Sequence, residues 1–269
     1  MRAHSIAALC LLGIFPLLAS SSTSRLNIEG NQIWVDKEGS GRITVVFESG
    51  FGNDSSVWSN ITPKIRSAGV GTFVYDRAGM GKSTLDESTP FSIDHDVHIL
   101  QTALTRCAVH GPIVIVGHSY GGAMSLLLAS QDKRVKGVVL LDAVVPKAWP
   151  KSEVDKNMTM MRAQYAEVRE KAPDLAKVAI PWAEALPQTA QRVDEIRLPN
   201  AMPVIDVVAE NGQSDPASAQ IWRTAHAEFV AGNSHRRAVL AAGSSHKIMS
   251  DKPDLVVQEI LTMIGLIQR

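Results

Sequence analysis

The sequence predicts an α/β protein in which a mostly parallel central sheet is covered by helices on both faces. Short apolar runs alternate with amphipathic stretches along the chain, which is the pattern of successive βα units. Several runs are continuous and β-branched, as in strands that are buried on both faces. Strands are predicted at residues 32–35, 43–47, 72–75, 113–116, 138–141, 204–209 and 237–241.

The composition is typical of a globular protein that acts on small molecules. The chain has 269 residues, of which 45% are hydrophobic and 20% charged, enough for one large domain with an inserted segment. Its 27 basic residues balance its 27 acidic ones, and no cluster of five or more Lys and Arg occurs. This charge pattern argues against nucleic acid or an anionic membrane surface as a partner, and a small neutral substrate fits better.

The first residues have the pattern of a secretory signal peptide. Arg2 precedes an apolar run at residues 6–18, and small residues follow at 19–22. Because this run is too short to cross a bilayer comfortably, a cleaved signal over residues 1–24 is favoured over an uncleaved anchor. The mature protein is then expected to be exported, periplasmic or secreted, without stable membrane insertion. Cys107 would be its only cysteine, so no intrachain disulfide is expected.

Two helices of the sheet layers have clear boundary signals. Ser92 is a good capping residue, Asp94 and Asp96 follow in the first turn, and apolar residues then recur at helical spacing. Near the end of the chain, Asp251 and Pro253 mark the start of a second amphipathic helix. Both helices are therefore expected to pack an apolar stripe on the sheet.

The segment at residues 146–203 interrupts the alternation of strands and helices. It contains no convincing strand, is rich in methionine and aromatic residues, and is punctuated by prolines. We interpret it as a helical cap inserted between core segments at residues 25–145 and 204–269. Its methionine and aromatic side chains either pack the cap helices together or line a substrate surface.

A nucleophilic serine is indicated by Ile-Val-Ile-Val-Gly-His-Ser-Tyr-Gly-Gly at residues 113–122. An apolar run leads into this motif, and a helix is predicted after it at residues 123–130. Gly117 and Gly121 lack a β-carbon, so the chain can turn sharply from strand to helix with Ser119 exposed at the tip. An ordinary glycine-rich turn is the alternative, but the strand before the motif and the helix after it favour the nucleophile.

A serine nucleophile needs a general base, and His246 is the best placed of the eight histidines. It lies in a small-residue loop at 243–246, between the last predicted strand and the final helix. Reacting groups gather in such loops at the carboxyl edge of a parallel sheet. His118, beside the serine, is expected to pack or support the loop. The other histidines show no ligand spacing, so neither a metal nor a cofactor is expected.

Three segments of the chain resemble the α/β-hydrolase superfamily, in its serine-nucleophile, esterase-like branch. Residues 48–52 resemble the oxyanion loop, residues 75–83 resemble the turn at the exit of a strand, and residues 243–247 resemble the histidine loop. The likeness extends over essentially the whole mature chain and implies the α/β-hydrolase fold. It also implies that the backbone N–H groups of Phe51 and Tyr120 form the oxyanion hole.

Two features stay open within this resemblance. Glu48 and Ser49 stand where the family often has a histidine, so the glycines that follow either shape an oxyanion loop or only permit a tight turn. The acid that orients the histidine is either Asp142, which ends a strand, or Asp215, which lies beyond a later strand, with Glu210 as a third candidate. Asp142 is preferred because Asp215 lies farther from its strand than the family's acid usually does.

The combination predicts a serine hydrolase that cleaves a small carboxylic ester or a related acyl bond through an acyl-enzyme intermediate on Ser119. Superfamily members that act on epoxides or haloalkanes usually attack with a carboxylate, so the serine argues against both activities. C–C hydrolase, perhydrolase and peptidase activities use the same triad and are alternatives. An alternative from another class is a non-catalytic small-molecule binding protein on the same fold.

Overall fold

The structure, a computed structural model, describes residues 22–39 and 41–269, so most of the predicted signal peptide lies outside the described residues. One eight-stranded sheet forms the centre of this part of the chain. Its strands are β1 (Ser22–Ile28), β2 (Asn31–Glu38), β3 (Thr44–Glu48), β4 (Gly71–Tyr75), β5 (Ile113–His118), β6 (Val135–Leu141), β7 (Val204–Asn211) and β8 (Arg236–Ser245).

Helices lie in the connections between these strands. They are α1 (Thr62–Ser67), α2 (Ile93–Arg106), α3 (Tyr120–Gln131), α4 (Lys151–Lys171), α5 (Pro173–Glu184), α6 (Leu186–Asp194), α7 (Pro216–Ala231), α8 (Ile248–Asp251) and α9 (Pro253–Ile267), and a 3₁₀ turn spans Ser55–Trp58. The predicted helices after Ser92 and from Pro253 are α2 and α9. No helix in the described ranges combines the length and the apolar character needed to cross a membrane.

The sheet is mostly parallel, as the sequence predicts. Its strand order is β1-β2-β4-β3-β5-β6-β7-β8, in which β1 pairs antiparallel with β2, β2 pairs antiparallel with β4, and the remaining neighbours are parallel. The seven predicted strands coincide with β2 to β8. The sequence missed β1, an edge strand in which polar residues alternate with Leu26 and Ile28. Residues 22–24 of β1, assigned above to the signal peptide, pair with residues 35–37 of β2.

The core lies on both faces of the sheet, which explains the continuous apolar runs. Ile113 and Ile115 of β5 enter the cluster on one face, whereas Val114 and Val116 enter the cluster on the other. All four side chains are fully buried. Helices α2 and α3 contribute to the first cluster, and α9 contributes to the second.

The segment between β6 and β7 forms three helices and contains no strand. Helices α4, α5 and α6 pack on one another around a small cluster of their own that includes Met158 and Leu186. Met160, two residues along α4, is 56% exposed. The methionines of this segment therefore differ in role, since one packs the helices and another faces solvent.

Candidate active site

Ser119 lies at a strained turn between β5 and α3. Its backbone has φ 53° and ψ −125°, a conformation that residues with a β-carbon rarely adopt. The Ser119 N–H donates to the Leu141 carbonyl (3.2 Å), and the Ser119 carbonyl accepts from the N–H groups of Gly122 and Val144 (2.9 Å each). Hydrogen bonds from both sides thus hold this strained turn in place.

The two glycines of the motif allow α3 to approach the sheet closely. A Cβ atom on Gly117 would overlap the Ser125 hydroxyl and the Gly121 carbonyl. A Cβ atom on Gly121 would overlap the carbonyl oxygens of Glu48 and Ser49, at the end of β3. The glycines therefore serve close packing as well as the sharp turn, and they bring Ser119 next to the loop after β3.

His246 and Asp142 meet above the carboxyl ends of the parallel strands. The His246 Nδ1 atom lies 2.6 Å from the Asp142 Oδ2 atom, and the Asp142 side chain is fully buried. A carboxylate oxygen accepts, so the hydrogen lies on Nδ1 and the Nε2 atom of a neutral His246 is left as the acceptor. This tautomer is the one that can take a proton from a serine hydroxyl.

The other two candidate acids do not contact His246. Asp215 caps the N-terminus of α7, where its Oδ2 atom accepts from the Ser218 N–H (2.9 Å) and from Lys156 Nζ (2.9 Å). These hydrogen bonds, with Lys156 as the main cause, lower the pKa of the Asp215 carboxyl. Glu210 accepts from the Gly243 N–H (2.6 Å) and so holds the loop before the histidine.

The second oxygen of Asp142 is held by groups that the sequence did not reveal. Its Oδ1 atom accepts from Trp222 Nε1 on α7 (2.9 Å) and from the Ala209 N–H on β7 (3.2 Å). One turn after Trp222, His226 Nδ1 lies 2.7 Å from Asp206 Oδ2, and both side chains are buried beneath the helix. This second pair anchors α7 on β7 and so supports the position of Trp222.

His118 is a buried support for the histidine loop. Its ring is 2% exposed, and its Nε2 atom donates to the His246 carbonyl (2.9 Å). Burial, and then the neighbouring His246, lower the pKa of His118 to about 4, so the ring is neutral at ordinary pH. This agrees with the packing or loop-support role expected from the sequence.

The backbone N–H groups of Tyr120 and Phe51 are the two predicted components of an oxyanion hole. Tyr120 is the first residue of α3, and Phe51 lies in the loop after β3. Within residues 22–39 and 41–269, neither amide donates a hydrogen bond to another group. Unpaired N–H groups at a helix start and in an adjacent loop are the usual components of an oxyanion hole. Among the described residues, the Ser119 hydroxyl makes no hydrogen bond to His246, and such contacts often tighten only in a complex with substrate.

A buried charge cluster underlies the loop after β3. The Glu48 carboxylate accepts from the Tyr75 hydroxyl and from the Arg77 guanidinium, and all three side chains are buried. Burial raises the pKa of Glu48 to about 7, although Arg77 and Tyr75 act against this rise. Sequence reasoning noted Glu48 only as a departure from the family pattern, because its partners lie on another strand.

A cavity of about 200 Å³ opens between the loop after β3 and helix α5. Its lining combines apolar side chains with charged or titratable ones. The apolar ones include Phe51, Met80, Phe91, Val178 and Pro181, and the others include Arg77, Asp86, Glu87, His95, Asp96 and Lys177. Trp182 of α5 stacks on the Phe51 ring with a centroid separation of 4.0 Å and an interplanar angle of 17°. The cap segment thus contacts Phe51, one of the two residues predicted to form an oxyanion hole. Among the described side chains, no group of three or more His, Cys, Asp and Glu is placed to bind a metal ion.

Comparison with known proteins identifies the family. A model of the Alpha/beta hydrolase family matches residues 45–259 of the chain. The uncharacterized protein YqjL of Bacillus subtilis (strain 168) is 28% identical over 230 residues, which span 82% of this chain and 83% of YqjL. Lipase LipV of Mycobacterium tuberculosis is 34% identical over 131 residues, 46% of this chain and 48% of the lipase.

The same fold occurs among solved structures. A structure from a study of carboxylesterases of Nitrososphaera gargenis aligns with a TM-score of 0.70 and 13% sequence identity. The alignment covers 92% of this chain and 99% of that structure. Since the family model spans most of the chain and the observed fold agrees with it, the protein belongs to the alpha/beta hydrolase family and is a hydrolase.

Proposed function

We propose that this hydrolase cleaves a small carboxylic ester, or a related acyl bond, through an acyl-enzyme intermediate on Ser119. The observation that carries the proposal is the pairing of His246 Nδ1 with the buried Asp142 carboxylate at 2.6 Å, beside a serine held on a strained elbow. A histidine oriented in this way is the base that a serine nucleophile requires.

The proposed reaction has two matching halves. Ser119 Oγ attacks the ester carbonyl carbon while His246 Nε2 accepts the hydroxyl proton, and the N–H groups of Phe51 and Tyr120 donate to the oxyanion that forms. When this intermediate collapses, the bond to the alcohol breaks and His246 returns its proton to the departing oxygen. Water then attacks the acyl-enzyme in the same way, which releases the carboxylic acid and restores the serine.

The cavity beside Phe51 offers an apolar surface to part of a substrate. Apolar side chains of the core and of α5 make up half of its lining residues, and polar or charged side chains make up the rest. The apolar part favours burial of alkyl or aryl surface by about 25 cal/mol per Å². We therefore propose that the acyl or alkoxy group of the ester occupies this cavity.

The experiment is turnover of p-nitrophenyl esters of increasing acyl chain length by wild type and by Ser119→Ala. We expect kcat to fall about 10⁶-fold in the variant, because no other group replaces the nucleophilic hydroxyl. Ser130→Ala is the control, since this serine lies at the far end of α3 and bonds only the Leu127 carbonyl (2.7 Å). Turnover by Ser119→Ala within about tenfold of wild type would refute the assignment.

A fluorophosphonate probe separates an enzyme from a binding protein on the same fold. Rapid labelling of wild type that is lost in Ser119→Ala supports catalysis. Saturable binding of a small molecule without labelling of Ser119 would instead support the non-catalytic alternative, because an activated serine reacts with such probes.

A further inference from the structure

Arg77 connects the turn after β4 to the loop that carries Phe51. Its guanidinium is buried and contacts one group at the end of β3 and two in the loop that follows. The Nη1 atom donates to the Glu48 carboxylate and to the Ser49 carbonyl (2.5 Å), and the Nη2 atom donates to the Gly50 carbonyl (2.6 Å). One planar side chain thus holds two consecutive carbonyl groups of the loop.

The hydrogen bond to Gly50 determines the direction of the Phe51 N–H group. The Gly50 carbonyl and the Phe51 N–H belong to one planar trans peptide, in which the two groups point in opposite directions. Because Arg77 and the Asn53 N–H (3.2 Å) hold the carbonyl on one side, the Phe51 N–H is directed to the other. Without these contacts, the peptide plane is free to rotate about the Cα–C bond of Gly50 and the N–Cα bond of Phe51.

We infer that Arg77 is a positioning residue for the oxyanion hole: its guanidinium fixes the Gly50–Phe51 peptide so that the Phe51 N–H faces the oxyanion. The inference rests on the proposed function, because an oxyanion forms only if Ser119 attacks a carbonyl carbon. Arg77 touches no reacting atom in this role and acts only through the loop backbone.

The surroundings explain why this side chain is arginine. A guanidinium presents several donors in one rigid plane, whereas the ammonium group of lysine is a point charge that cannot bridge two carbonyls and a carboxylate in the same geometry. Glu48 balances the buried charge, and Tyr75 donates to the other oxygen of that carboxylate. The Arg77 Cζ atom also lies 5.5 Å from the centre of the Tyr120 ring, so Arg77 contacts one of the two residues assigned to the oxyanion hole directly and the other through the Gly50 carbonyl.

The test measures binding of a transition-state analogue separately from binding of substrate. An alkylboronic acid adds to a serine hydroxyl to give a tetrahedral anion, with the displaced proton taken by the base, and one boron-bound oxygen then occupies the oxyanion hole.

The variants are Arg77→Lys and the double substitution Glu48→Gln/Arg77→Gln, which removes both members of the buried ion pair. For n-butylboronic acid and p-nitrophenyl butyrate, we expect kcat and boronate affinity to fall about 10- to 100-fold, with KM within about threefold of wild type.

Arg134→Lys is the matched control. Arg134 also joins a carboxylate, Asp132, to a backbone carbonyl, Val109 (2.7 Å), but it precedes β6 at the opposite end of the sheet. This variant is expected to keep wild-type kcat and boronate affinity even if its Tm falls, which separates a positioning role from a structural one. Circular dichroism and Tm establish which Arg77 variants are folded, and one folded variant is sufficient.

Two results would overturn the inference. One is a folded Arg77 variant with unchanged kcat and boronate affinity, and the other is a fall in kcat without loss of boronate affinity. If wild type neither turns over esters nor binds the boronate, the proposed function itself fails, which is a different outcome from failure of the Arg77 inference.

Discussion

Asp142 connects the candidate base to the rest of the fold through its two oxygens. One oxygen meets His246 and the other accepts hydrogen bonds from Trp222 and Ala209, so the carboxylate is fixed in orientation. Asp142 itself has a positive φ of 41°, a conformation in which non-glycine residues are strained. Strain at this position and at Ser119 is consistent with two residues that are held in place for chemistry.

The identity of the acid can be tested by amide replacement. Asp142→Asn is expected to lower kcat by about 10⁴-fold on a p-nitrophenyl ester, because an amide favours the wrong histidine tautomer. Asp215→Asn is expected to leave kcat nearly unchanged, since Asp215 bonds Ser218 and Lys156 instead. Circular dichroism checks that both variants fold. Loss of activity only in Asp215→Asn would mean that the acid was wrongly assigned.

The buried His118 predicts a loss of stability in acid. Its pKa is lowered from 6.5 to about 4, so between these values the unfolded chain binds more protons than the folded one. The stability that depends on neutral His118 is therefore fully present above about pH 6.5 and is lost as the pH falls towards 4. The free energy of unfolding falls by up to about 3 kcal/mol over this range.

Urea unfolding of His118→Gln as a function of pH measures this effect. The glutamine amide can still donate to the His246 carbonyl but does not titrate, so the variant should lose less stability than wild type between pH 6.5 and 4. His235→Gln is the control, because His235 is exposed. Parallel pH profiles for His118→Gln and wild type would contradict the assignment of this acid sensitivity to His118.

The turn after β7 and helix α7 together support Asp142, which directly follows β6. Gly212 in this turn packs directly on the Asp142 carboxylate, so a Cβ atom there would overlap its Oδ2 atom. Trp222 approaches the same carboxylate from α7. In the family, the acid usually lies in the turn after the later strand, which is β7 in this chain. Here that turn and α7 instead provide Gly212 and Trp222, which hold Asp142.

This packing predicts that a single methyl group after β7 impairs catalysis. Gly212→Ala should displace the Asp142 carboxylate from His246 and lower kcat about 10- to 100-fold, since small misplacements of catalytic groups have effects of this size. Gly265→Ala in α9 is the control, because a Cβ atom there meets open space. Ester turnover and Tm are measured for both variants, and a kcat for Gly212→Ala equal to that of the control would show that the carboxylate tolerates the methyl group.

For the whole molecule, the strand order brings distant parts of the chain to one edge of the sheet. The loops after β3, β5, β6 and β8 carry Phe51, Ser119, Asp142 and His246, respectively, and these four strands lie in the parallel part of the sheet. Parallel strands end at the same edge, so residues far apart in sequence become neighbours there. Helix α5 covers this edge through the contact of Trp182 with Phe51.

We propose that the protein is exported with removal of its first residues. N-terminal sequencing of the mature protein should give a start between Ser20 and Arg25, as the apolar run and the small residues after it predict. A start no later than Ser22 would keep all of β1, whose first residue pairs with Lys37. A soluble protein that retains Met1 would contradict the proposed cleavage.

The sequence by itself determined the buried strands, the elbow at Ser119 and the loop of His246. These features depend on local patterns: a β-branched run that is apolar on both faces, glycines where a helix must pass close to a strand, and small residues in a loop. Edge strand β1 escaped prediction because half-exposed residues carry a weaker pattern.

Only the tertiary structure decided which acid meets the histidine and what lies under the loop of Phe51. Asp142 and His246 are 104 positions apart in sequence, and Arg77 reaches the Glu48 carboxylate across two neighbouring strands. Local pattern places each of these residues at or just after a strand end, but Glu210 near the end of β7 and Asp215 beyond it are further carboxylates in the same part of the chain. Which one touches the histidine depends on strand order, register and helix packing, and these are properties of the folded chain as a whole.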